Sequence, residues 1–354
     1  EKLLHDFLLA VEQLYRAVAA LGGLCIGLFC FLYLVKLTGD QFGMMQSLAL
    51  LFFVVGLGIN VSALGFAPIL IGSGAFSRCA RANIIFRVFW ISITSVAFIY
   101  PGAGIVYLSL SYLLSVSLYW ILHKGTYNEL RRRVQVSDPR IDYFKVLKPL
   151  WGSVWRIGAV VMSAFVITRG NVYLAGLFTT VEIAAKYSLS LQLFFALNGL
   201  ITVVQPYLLT LLSGYVAEGK QYQFVRVSGG YVVLSTITYL AAGLLMLVLL
   251  DIFFKQMVDR YLLNYSYLIV IYFIVGLEHF HSICAVILTT ENRVPFVKSA
   301  LFSAIGVVLM SIFAGGVLGC GISGFLLSQS LIQIAYNNWK WPLEYLRLRK
   351  RMSS

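Results

Sequence analysis

Long apolar runs separated by short polar breaks make up most of the chain. The runs fall at about 17–36, 44–65, 84–100, 104–122, 150–177, 186–212, 228–250, 265–289, 298–318 and 322–340. Most are close to, and all reach, the length of roughly 20 residues (range about 17–25) that a helix needs to cross about 30 Å of hydrocarbon. Strands do not fit, because the runs are too long and an open sheet edge cannot face lipid. In front of the first run, residues 1–16 (EKLLHDFLLAVEQLYR) mix both charge signs with apolar positions. This pattern predicts an amphipathic helix lying at the membrane surface. The expected fold is therefore all-α, a polytopic membrane protein of about ten transmembrane helices.

Composition points the same way. The chain of 354 residues is 60% hydrophobic and 12% charged, with a mean hydropathy of +0.87. Soluble domains are about a quarter charged, and a water-soluble fold would lack the polar side chains to cover this much apolar surface. Cys25, Cys30, Cys79, Cys284 and Cys320 are scattered and form no CxxC pair. They read as small core residues rather than a disulfide or metal framework. The chain opens at Glu1 with no basic stretch leading into a short apolar one. It thus shows no secretory leader and reads as a piece of a longer protein or one trimmed at its front.

Charge sets the expected orientation. If the ten runs alternate across the membrane, 21 of the 27 Lys and Arg fall on one side. They include Arg131, Arg132 and Arg133 and the tail from Arg347 to Arg351. Lys36, Lys255 and Arg260 fall on the other side, and Arg156, Arg169 and Lys186 lie within or at the ends of spans. By the positive-inside rule both termini and the polar 123–149 segment are cytoplasmic. The net charge of +13 then reflects loop sidedness and contact with anionic membrane lipid, not nucleic-acid binding. The expected organisation is a 1–122 lobe of surface helix plus four spans, a basic 123–149 linker carrying Asp138-Pro139, a six-helix 150–342 lobe, and a basic 343–354 tail.

An internal echo supports two lobes. Ile69-Leu70, a basic loop, a span and Gly102-Ala103-Gly104-Ile105 recur as Ile287-Leu288, a charged loop, a span and Gly319-Cys320-Gly321-Ile322. Ile, Leu and Gly are common in membrane helices, so chance is the competing account. As a repeat in one orientation, the echo implies two lobes related by an axis along the membrane normal. It also implies that the first lobe lacks two helices at its front.

The second half resembles a known family. The residues that carry the likeness are Leu147-Lys148-Pro149-Leu150, Trp155-Arg156-Ile157-Gly158 and the run Arg169 to Phe178 (RGNVYLAGLF). Val181 to Ser190 (VEIAAKYSLS), Gln205-Pro206-Tyr207 and Ala217-Glu218-Gly219-Lys220 follow in order. In order and spacing these resemble the polysaccharide transporter branch of the multidrug/oligosaccharidyl-lipid/polysaccharide flippase superfamily, the Wzx-type O-antigen flippases, with the family's first two helices missing. The resemblance implies two pseudo-symmetric lobes rocking around a central cavity in a bacterial inner membrane. The implied cargo is an undecaprenyl-diphosphate-linked oligosaccharide, and the implied role is transport rather than catalysis. It implies no bound cofactor, coupling to a proton or sodium gradient, and the polysaccharide polymerase and chain-length proteins as partners. The alternatives are a multidrug/cation antiporter, a peptidoglycan-precursor flippase, or a membrane enzyme such as a polysaccharide polymerase. Against the last, the chain has no large outer loop and no paired catalytic residues on a loop.

A diphosphate crossing low dielectric needs cations, and a sugar needs amides and hydroxyls. Arg169, near the outer end of its span, is the first candidate, with an interfacial anchor as the plainer reading. Arg156 is the second, and a snorkelling anchor explains it equally. The two are 13 residues apart, on nearly opposite faces of an ideal helix, so a bend near Gly158 would be needed to bring them together. Glu278 lies about 18 Å into its span. It shares a helix face with His281, Ser282 and Tyr267, which suggests a proton-coupling or substrate site. A buried Glu–His pair joining helices is the structural alternative. His279 points elsewhere, so Glu-His-x-His does not form a zinc site. Asn198 and Gln205 share a face near a possible kink at Pro206. Gln329, Gln333, Tyr336, Asn337 and Lys340 form a polar stripe suited to sugar or to interhelical hydrogen bonds. Lys186 and Glu182 read as an ion pair one turn apart.

Overall fold

The apolar runs fold as helices because backbone N–H and C=O groups facing lipid must be satisfied within their own segment. The computed structural model describes residues 2–38, 43–73, 75–99, 104–133, 143–291 and 294–353. No strand occurs among these residues, and nine helices in them are long and apolar enough to cross a membrane. The protein is all-α and polytopic. It divides into two compact units, Glu1–Gly152 and Ser153–Ser354.

The first unit contains α1 (Lys2–Thr38), α2 (Met44–Leu64), α3 (Phe66–Gly72), α4 (Phe76–Ile99) and α5 (Gly104–Arg133). A separate surface helix over 1–16 is not observed. α1 is one 37-residue helix, about 55 Å long at 1.5 Å per residue, and the first span continues from it. Its early turns stay in register because they have protein partners. Leu8, Ala10 and Glu12 are buried, the Tyr127 hydroxyl donates to the Leu8 carbonyl at 3.0 Å, and Lys124 pairs with Glu12. The break between α2 and α3 falls at Gly65, where a Cβ would sit 2.9 Å from the Tyr15 ring. The 123–149 linker is helical at both ends, since α5 runs to Arg133 and the next helix opens at Tyr143. Asp138-Pro139 and Gly102 lie outside the described residues.

In the second unit several spans are interrupted. α6 (Tyr143–Phe165) reaches α7 (Asn171–Phe178) through a π-helical turn, Val166–Gly170. α8 (Val181–Ile201) reaches α9 (Gln205–Ala217) through a 3₁₀ turn, Thr202–Val204. Pro206 sits in the first turn of α9, where its missing N–H has no helical partner to lose. α10 (Gln221–Phe253), α11 (Lys255–Tyr261) and α12 (Tyr265–Leu288) follow, then α13 (Val297–Ser311) with a π-helical extension, Ile312–Val317. α14 (Gly321–Ala335) and α15 (Asn337–Ser353) close the chain. No bend occurs near Gly158 to bring Arg156 and Arg169 together, because α6 is continuous there and the irregular turn comes later. The tenth apolar run is also divided. Tyr336 has φ −141° and ψ −61°, so α14 ends inside the run and α15 carries its remainder into the basic tail.

Two large packed cores and a smaller cluster of Ile167, Ala304 and Val307 hold this unit. One joins Tyr187, Leu191, Phe194, Tyr239, Leu268 and Phe325. The other joins Leu212, Phe224, Ile283, Trp341, Tyr345 and Leu348. α14 meets the π-helical extension of α13 backbone to backbone, since a Cβ on Gly324 would lie 2.8 Å from Ala314 main-chain atoms. The echoed glycines share a conformation: Gly104 (φ 61°) and Gly321 (φ 54°) are both left-handed and each opens its helix.

Candidate functional site in the second helical unit

α12 faces α14 and α15 along a polar seam. At one end the Tyr267 and Ser323 hydroxyls are 2.8 Å apart. Farther along, Gln329 Nε2 donates to Glu278 Oε1 at 2.8 Å. Asn337 Nδ2 then donates to Gln333 Oε1 at 2.7 Å and to Ser303 Oγ at 3.0 Å, and Trp341 Nε1 donates to Asn337 Oδ1 at 3.1 Å. With its oxygen taken by Asn337, Gln333 turns its amide N–H toward the Glu278 carboxyl. Glu278, Gln329, Gln333 and Asn337 are all buried. No Lys or Arg lies within 4.0 Å of Glu278 among the described residues, so its carboxyl is held by amides alone. An unpaired charge at this depth costs roughly 2.5–3.5 kcal/mol even on lenient scales, which favours a group that can take up a proton or a cation.

Beside this seam lies a cavity of about 240 Å³, lined in part by Glu278, His281, Ser282, Ser299, Gln333 and Asn337. His281 Nδ1 is 3.2 Å from the Leu277 carbonyl. A carbonyl only accepts, so the proton of the neutral ring is on Nδ1 and Nε2 is the acceptor nitrogen, with the Asn338 side chain nearby. Four of the residues singled out from sequence, Glu278, His281, Gln333 and Asn337, thus share one cavity, and Gln329 supports it from behind. The residues that sequence reasoning missed are Ser299, Ser303 and Trp341. The only signal for the serines was their four-residue spacing on α13.

The arginines are placed differently. Val160, Ala164 and Thr168 also line the cavity. Arg156 precedes Val160 by four residues, so it continues this stripe one turn beyond the cavity. It is exposed. Arg169, in the π-helical turn, points away from the stripe, with its guanidinium 4.7 Å from the centroid of the Phe195 ring on α8. Neither arginine has a carboxylate within 4.0 Å among the described residues.

Asn198 does not act with Gln205, because the 3₁₀ turn at Thr202–Val204 separates them. Instead its side-chain oxygen position lies 2.6 Å from His279 Nδ1, and His279 Nε2 is 3.2 Å from the Ser235 carbonyl. The carbonyl fixes the proton on Nε2, so a neutral ring has the Asn198 amide turned to donate to Nδ1. This bridge ties α8, α12 and α10 together, with the Tyr239 ring stacked on the imidazole at 5.0 Å. Tyr267 shares the seam face with Glu278 but lines a separate cavity near the start of α12. Lys186 pairs with Glu182 at 3.2 Å.

No protein-family model matches the sequence, and no curated protein matches it. Solved structures do. An outward-facing multidrug resistance MATE family transporter of the MOP superfamily aligns with TM-score 0.56 and 13% identity, covering 98% of this chain and 85% of its own. An inward-facing one aligns with TM-score 0.55 and 12% identity, covering 98% and 88%. A MATE structure in the bent conformation aligns with TM-score 0.52 and 13% identity, covering 99% and 86%. The chain has the MATE transporter fold. At such identities the likeness is one of fold, and the cargo has to be argued from this chain's own side chains.

Proposed function

We propose that the chain is a flippase for a lipid-linked oligosaccharide carried on a diphosphate, working by alternating access in a bacterial inner membrane with both termini cytoplasmic. The observation that carries this reading is the pair of cations in one span, Arg156 and Arg169, which lack carboxylate partners among the described residues. A cation within a span is retained most readily where an anion compensates it, and a diphosphate supplies that anion through charge-assisted hydrogen bonds. The Glu278 cavity is too small for an oligosaccharide but suits a coupling ion. A proton taken up by Glu278 removes its charge, and His281 Nε2 provides a second acceptor one turn away.

A second reading has its own support. The lone carboxylate Glu278 also suits an organic cation, and the structural neighbours are described as multidrug transporters. Expression in a bacterium lacking its own polysaccharide flippase separates the two. The flippase reading expects surface polysaccharide to return, and Arg156→Ala combined with Arg169→Ala to abolish it at unchanged protein level. Ethidium efflux without polysaccharide rescue would overturn it in favour of drug export.

A further inference from the structure

The larger cavity of the second unit is not the one at Glu278. About 480 Å³ opens where the turns 179–180, 262–264 and 318–320 meet, at the end of the unit away from the basic tail. This falls within the roughly 300–1,000 Å³ of small-molecule sites. We propose that this cleft binds sugar residues of the cargo; the inference deepens the flippase reading and rests on it.

The chemistry of the walls selects a neutral, hydroxyl-rich ligand. Lys186 lines the cleft with its ammonium already held by Glu182 at 3.2 Å and by the Asp259 carbonyl at 3.4 Å. Asp259 lines it too, and its carboxylate has no cation within 4.0 Å among the described residues. A phosphate would meet a carboxylate and a neutralised lysine, and an organic cation would meet the ammonium. A polyol gains from both, donating to Asp259 and accepting from Lys186. Asn264 spends its side-chain oxygen capping α12, accepting from Tyr267 N at 3.2 Å, and so has its amide N–H free to donate. Tyr267 adds a hydroxyl and a ring, and Ile183, Leu262 and Ile322 supply apolar wall for the C–H faces of a sugar.

Cys320 is exposed and lines the same cleft, so its reactivity reads occupancy. The test uses the full chain in detergent with Cys25→Ser and Cys30→Ser; Cys79 and Cys284 are buried. Alkylation of Cys320 by a charged maleimide is timed with N,N′-diacetylchitobiose, lactose or maltose, and separately with pyrophosphate or tetraphenylphosphonium. At a saccharide concentration of about twice its Kd the rate should fall roughly threefold. Asp259→Asn should remove that protection, and the two ions should give none. Failure of every saccharide to protect, protection by either ion instead, or protection that survives Asp259→Asn overturns the proposal. Polysaccharide rescue by the unmodified chain is scored separately, so a failed cleft with intact rescue rejects the cleft and leaves the flippase reading standing.

Discussion

In the first unit the buried hydroxyl of Ser115 returns to a carbonyl of its own helix, beside cross-helix bonds from Asn60 and Tyr127. In the second, the buried amides of Asn171, Gln329 and Asn337 reach to other helices. The first arrangement satisfies a polar group locally and leaves helices free to pack as apolar rods. The second commits a polar group to a particular neighbour and fixes how two helices meet. Buried carboxylates differ in the same way. Glu12 is matched by two cations, Lys124 and Arg16, whereas Glu278 has amide partners and an adjoining cavity. The π-helical turns and the break at Tyr336 also belong to the second unit. An unmatched carboxylate among irregular helices is the combination on which the coupling proposal rests, and π-helical turns are often found at functional sites.

Exchanging the two carboxylates for neutral groups tests this contrast most severely. Glu278→Gln keeps the shape and should lower gradient-driven transport by about tenfold or more, with little change in stability; equal transport in the variant would remove Glu278 from the mechanism. Glu12→Ala should act on stability instead. It leaves Lys124 half-buried without its anion, a loss of up to about 3–5 kcal/mol, read as a fall in thermal midpoint in detergent. Transport per folded molecule should stay unchanged.

The amides and hydroxyls sharpen the contrast at a smaller scale. Asn171 donates to the Phe325 carbonyl at 3.0 Å and accepts from Ser311 at 2.7 Å. Asn171→Ala should therefore cost about 1–2 kcal/mol. Ser115→Ala, which removes a bond within one helix, should cost about 0.5 kcal/mol or less. Similar losses for both would erase the distinction between local and interhelical bonds.

The smallest effect lies outside the spans. Lys340, hydrogen-bonded to Glu344, and then the charge of Arg347 hold the Glu344 carboxyl below its usual 4.5. A lowered folded-state value contributes stability above the unfolded value, and that contribution is lost as pH falls through the folded one. Glu344→Gln should thus cost under about 1 kcal/mol at pH 7. The gap in thermal midpoint between the two proteins should close as pH drops below 4.5. A gap that persists unchanged in acid would mean that Glu344 acts through packing rather than charge.

The sequence by itself determined the fold class and the approximate place of nine spans among the described residues, because a span is a one-dimensional property. Hydrocarbon thickness sets its length, and apolar composition marks its ends. It also determined which residues sit one turn apart, so Glu182 with Lys186 and Glu278 with His281 were legible from spacing alone. What only the tertiary structure decided is where helices depart from ideal geometry and which polar groups find each other. The 13-residue interval between Arg156 and Arg169 could not be turned into directions without knowing that a π-helical turn lies between them. Asn198 was read with Gln205 because seven residues bring two positions to one face, yet a 3₁₀ turn parted them and His279 on α12 claimed the amide. Tyr336 ended the last span early for the same kind of reason. Burying a polar group in lipid is costly, and which distant helix offers its partner is fixed by packing, which a single sequence read in order does not contain.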